Sequence, residues 1–239
     1  MTARANARTR RAGAWLILAG LALLLPLAGC DPRMAMFFLQ PFDPMVPHTG
    51  PDLKGKKVVI VAAATAGAQT EFQGIERELV REIVPLLREG VKKIEVVPPQ
   101  KVWDWVESHP SWTDPSEILK EFEADVVIFL EMEDFRTQDV SSPGLYQGNS
   151  KIHVRVSTND HPKDSRGKPQ KDQPKEISVI HDDYTETIFP SRGPIPADSG
   201  VSPAAFKNKF LKLVASEVSW HFVDHAPGDD IQDARLGSR

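Results

Sequence analysis

The side chains that could do chemistry in this chain are its seven histidines and the acids around them. His181-Asp182-Asp183, with His153 and His161, offers imidazoles and carboxylates, which are donor types that zinc accepts. On a strand, successive side chains point to opposite faces, so only His181 and Asp183 share one. The reading adopted is an exposed polar strand face holding no metal. His221 and His225 lie four apart with Asp224 between them, at the expected end of a helix. A histidine there is favoured by the helix macrodipole without any chemistry. Glu131 and Glu133 share a strand face and have the residue types of a glycosidase pair, but read as a solvated strand end. No Gly-x-Ser-x-Gly turn presents a serine nucleophile. The turn Ala62–Ala68 sits where a phosphate loop would, between strand and helix. It has one glycine and no Lys-Ser/Thr, so nucleotide binding is not expected. With no coherent catalytic constellation, the chain is read as non-enzymatic and free of cofactors.

Trp103, Trp105 and Trp112 place three tryptophans within ten residues, beside His109 and Pro110. One reading is core packing under a loop. The other is a partner-binding surface, since aromatic residues concentrate at interface centres. A sugar platform built from the same rings is a further alternative.

The single cysteine, Cys30, follows Leu27-Ala28-Gly29 at the end of an apolar run from Ala14 to Leu27. Arg4, Arg8, Arg10 and Arg11 precede that run. The run is shorter than the roughly 20 residues a spanning helix needs, and matches the roughly 7–15 residues of a signal-peptide core. The order of basic, apolar and small residues before a cysteine resembles a bacterial lipoprotein signal. The resemblance implies cleavage before Cys30 and lipidation of its thiol and new N-terminus. Residues 1–29 are then the signal peptide and 30–56 a lipidated, proline-rich tether. A single chain binds a membrane only marginally, so stable anchoring takes more than one.

The formal net charge is −4, and the four arginines of 1–29 are balanced by no acid, so residues 30–239 carry −8. That balance does not favour nucleic acid as a partner. With no second cysteine, disulfides, a cysteine nucleophile and thiolate metal sites are excluded within the chain. Stability must come from one sizeable core, expected over 57–225, with 226–239 a flexible tail.

Val58 to Ala63 is a continuous apolar run, as a strand buried on both faces gives. Ala64–Thr70 reads as a loop. Phe72, Ile75, Leu79, Ile83 and Leu87 then recur at helical spacing. Lys93–Val97 is a short strand, completing a parallel β-α-β unit with a right-handed crossover. Helices are expected over 100–107 and from Asp114-Pro115, followed by a strand over 124–133. Residues 141–148 read as turn-rich. Strands around 152–156 and 177–189 flank a charged excursion over 158–175, and Ser202-Pro203 opens the last helix. The expected class is α/β, a mixed sheet flanked by helices in the order β-α-β-α-α-β-β-β-α, with an extended antiparallel hairpin.

Lys57–Ala63, the Ala124-Asp125-Val126-Val127-Ile128 strand running to Glu131, and Gly148–Val156 together carry a resemblance at the level of fold. The pattern resembles the periplasmic lipoprotein domains related to the curli secretion lipoprotein and the N-terminal domain of TolB. Lipoprotein activators of penicillin-binding proteins and the exopolysaccharide lipoprotein PelC share that fold. A Gly-x-aliphatic-aliphatic-Trp strand familiar in that group is not evident, and membrane-inserting hairpins of the curli pore are absent from the pattern. The resemblance implies a membrane-anchored periplasmic lipoprotein, an accessory in envelope assembly or export acting through protein–protein contacts. A glycan- or small-ligand-binding lipoprotein is the alternative, and a metal-dependent hydrolase a weaker one.

Overall fold

A computed structural model describes residues 45–139, 142–161, 166, 172 and 176–227. The signal 1–29, Cys30, the tether as far as residue 44, most of the 158–175 excursion and the tail from 228 lie outside the described residues.

The chain forms an α/β fold with a mixed sheet of six strands and five helices. The strands are β1 (Lys57–Ala64), β2 (Glu95–Val96), β3 (Val126–Asp139), β4 (Ser142–Asp160), β5 (Glu176–Phe189) and β6 (Ile195–Pro196). The helices are α1 (Ala66–Glu71), α2 (Ile75–Gly90), α3 (Pro99–Ser108), α4 (Pro115–Glu121) and α5 (Pro203–Ser219). The sheet order is β2-β1-β3-β4-β5, with β6 paired to β4. β1 runs parallel to β2 and β3, whereas β4 runs antiparallel to both β3 and β5. The expected parallel unit and antiparallel hairpin are both present.

Helices cover both faces of the inner strands, which explains the continuous apolar runs of β1 and β3. On one face, Val58, Ile60, Ile128, Leu130 and Val154 pack with Leu79 and Ile83 of α2 and Phe210 and Val214 of α5. On the other, Val59, Val61 and Val127 meet Val102 of α3 and Ile118 and Leu119 of α4.

Three departures from the expected pattern have local causes. The loop expected at Ala64–Thr70 contains α1, whose N-cap Thr65 accepts from the Ala68 N–H. Gly74, at φ 75°, then separates α1 from α2 in a conformation that costs glycine little. The turn expected over 141–148 is strand from Ser142 onward, because β3 and β4 continue as a long hairpin. Register shifts at Met132/Asp134, Arg136/Gln138 and Gln138/Asp139 break the period-two alternation that would have marked it. The excursion expected from 158 also starts late, since Thr158, Asn159 and Asp160 still pair with β5.

Residues 45–56, inside the span read as tether, belong to the same compact unit as the sheet. Val46 exchanges backbone hydrogen bonds with His225 at 2.8 and 3.1 Å, and the Gly50 N–H donates to the His221 carbonyl at 2.7 Å. A Cβ at Gly50 would lie 2.5 Å from that carbonyl oxygen, so the close approach needs glycine. Leu53 closes this strap and is buried. Among the described residues, no helix is long and apolar enough to cross a membrane.

Candidate functional site

Strand β5 is where the chemistry-bearing residues gather, because its two faces and its outer edge are differently furnished. Its register against β4 pairs His181 with Val156, Asp183 with Val154 and Thr185 with Ile152. Those β4 residues point into the core beneath α5, so His181, Asp183 and Thr185 stand on the α5 side of the sheet. The turn that ends α5 delivers His221 to the same place, 8% exposed.

His181 Nε2 lies 3.1 Å from His221 Nδ1. His221 Nε2 lies 2.9 Å from Thr185 Oγ1, and Thr49 Oγ1 of the strap lies 3.3 Å from Nδ1. Ligand atoms of His181, Asp183 and His221 all fall within 4.8 Å of one another. Burial, and secondarily the neighbouring His181, holds the His221 imidazole below its ordinary pKa. His221, Asp224 and His225 were expected at a helix end. They lie beyond it, and they do not converge: Asp224 accepts from His48 at 2.8 Å, and His225 stacks on Trp220.

The opposite face of β5 carries a row of paired charges. Asp182 bonds His153 and lies 3.5 Å from Arg155. Lys151 reaches Glu133 at 2.9 Å and sits over the Tyr184 ring at 4.5 Å, while Tyr184 stacks on His153. His153 hydrogen bonding lowers the Asp182 pKa, and Lys151 lowers that of Glu133. Glu133 in turn raises Lys151, and burial raises Tyr184. Glu133 thus faces Lys151 and Glu131 lies 3.9 Å from His153, so the two carboxylates are engaged with different neighbours.

The outer edge of β5 is open: among the described residues, no strand pairs with it. The edge runs for 14 residues and carries exposed Val179, Ile180, Tyr184 and Ile188. Glu176, Asp182, Asp183 and Glu186 give it four acids and no lysine or arginine.

The three tryptophans do not form one surface. Trp103 is 8% exposed, with Arg77 and Arg81 over its ring at 5.4 and 5.2 Å. Trp105 stacks on His109 and meets Trp112 and Phe122 edge to face, packing against the α3/α4 core.

The sequence placed His181 and Asp183 on one face but gave no sign that His221, 40 positions on, would meet them. The exposure of β5 had a partial signal in its four acids, Glu176, Asp182, Asp183 and Glu186.

No protein-family model matches the chain, and no curated protein matches it in sequence. Several solved structures share part of its course. The hypothetical protein CT253 from Chlamydia trachomatis aligns with a TM-score of 0.42 at 13% identity, over 70% of this chain and 97% of that one. The lipoprotein GNA1162 from Neisseria meningitidis gives 0.40 at 11%, over 69% and 98%. The PelC dodecamer from Paraburkholderia phytofirmans gives 0.36 at 14%, over 76% and 97%. These likenesses are partial, and none of them assigns a function.

Proposed function

We propose that this chain is a bacterial lipoprotein, anchored at the periplasmic face of a membrane through lipid on Cys30. Its domain acts as a non-enzymatic accessory in envelope assembly or export, by protein–protein contact. The observation that supports contact as its mode of action is the open edge of β5. An edge strand of this length, unblocked by lysine or proline, is a template on which an extended segment adds as a further strand. Its acids and exposed apolar side chains fit a segment of an envelope protein that alternates apolar and basic residues. The backbone ladder would supply affinity, and the charges the choice of partner.

The test is crosslinking in cells followed by mass spectrometry, comparing wild type with Ile180→Lys/Ile188→Lys. Lysine on the edge repels a basic segment and removes its apolar contacts. Loss of a crosslinked partner is the expected result. Recovery of every partner at wild-type yield overturns edge docking.

A further inference from the structure

We propose that His181, Asp183 and His221 form a binding site for a divalent first-row metal ion such as zinc. The donor set is two imidazoles and a carboxylate, without thiolate, which zinc accepts. Nitrogens each about 2.05 Å from a tetrahedral zinc lie about 3.3 Å apart. The His181 Nε2 to His221 Nδ1 separation of 3.1 Å is already close to that spacing. A carboxylate oxygen of Asp183 lies within 4.8 Å of a ring nitrogen of each histidine, on an exposed residue. One of its oxygens accepts from the Tyr184 N–H at 2.8 Å, which leaves the other to turn inward.

The surrounding groups prepare the ligands. With Nε2–H of His221 donating to Thr185 Oγ1 at 2.9 Å, the Nδ1 lone pair is left facing His181. Metal-bound histidines are oriented in this way by a hydrogen bond to the other ring nitrogen. The backbone of His221 is held independently, its carbonyl accepting from Gly50. Three protein ligands leave a fourth position for water, and Thr49 Oγ1 lies 3.3 Å from Nδ1. The ion would join the edge strand β5 to the end of α5, which already meet through the contacts of His221 with His181 and Thr185. The site does not depend on the docking of a partner along β5.

Calorimetric titration of the full-length, tag-free protein in detergent with zinc chloride tests the site. One equivalent should bind at micromolar or better affinity. Cobalt(II) in its place should give the visible bands of a four-coordinate ion. His181→Gln should raise Kd at least a hundredfold and Asp183→Asn at least tenfold. Both positions are open enough to solvent for the variants to fold, which a cooperative unfolding transition without metal verifies. Thr185→Val, which touches no metal, should weaken binding roughly 10- to 100-fold by freeing the imidazole. His48→Ala, at the separate pair with Asp224, should change nothing. No stoichiometric binding by wild type, unchanged affinity in His181→Gln and Asp183→Asn, or loss of binding in His48→Ala each overturns the assignment.

Discussion

Asp182 and His153 show how much of the β5 surface depends on single carboxylates. The hydrogen bond from His153 lowers the Asp182 pKa from its ordinary 3.8. A carboxylate whose folded pKa lies below its unfolded one adds stability above the unfolded value and loses it as pH falls through the folded value. Asp182→Asn removes that titration. The variant should therefore show a shallower loss of stability on acidification below pH 3.8 than wild type. Urea midpoints measured across the acid range check this, and identical acid slopes in the two proteins count against it. The same scale shows where reading residues one by one stops. Strand parity placed His181 with Asp183 and apart from Asp182, and the structure keeps that division across the two faces. It could not bring in His221, because which strand meets the end of α5 is decided by packing of Phe206, Phe210 and Val214 against the sheet. Nor could it foresee that Arg77 and Arg81 would cover the Trp103 ring, since both reach it from a different helix.

Elements were most legible where local chemistry and periodicity agree. Helix α5 begins where Ser202-Pro203 announced it, with the Ser202 hydroxyl accepting from Ala205 N–H at 3.2 Å. That cap satisfies one of the donors a helix start leaves unpaired. Ser202→Ala should cost about 1 kcal/mol of stability, read from chemical denaturation. An unchanged midpoint would show that the cap is redundant with the packing of Phe206. Strand β1 was equally plain, being short, apolar and buried on both faces. The hairpin of β3 and β4 was half hidden for an opposite reason. Its distal part is held by Phe135 and Tyr146 against Phe210 and Phe206, contacts remote in sequence, while bulges scramble the alternation. Helix α1 escaped because Ala66-Gly67-Ala68 has no apolar stripe to reveal it. Its cap at Thr65 was the one local sign.

For the molecule as a whole, the class, the mixed sheet and the order of most elements followed from where apolar runs alternate with amphipathic ones. The anchor is a matter of the signal alone. Cys30→Ser should shift the protein from the membrane to the aqueous fraction on cell fractionation, with processing before residue 30 impaired. Membrane association equal to wild type would reject lipid anchoring while leaving the zinc and edge experiments unaffected. The strap from Val46 to Gly50 has a mechanical meaning. Because Val46 is tied to His225 and Gly50 to His221, a pull arriving from the upstream chain is taken up first at the end of α5. From His221 it passes through the facing imidazole of His181 to the edge strand. Tension between an anchor upstream and a partner held on β5 would thus enter the domain where β5 meets the end of α5. His221, bonded to both His181 and Thr185, is a junction through which such a load would pass.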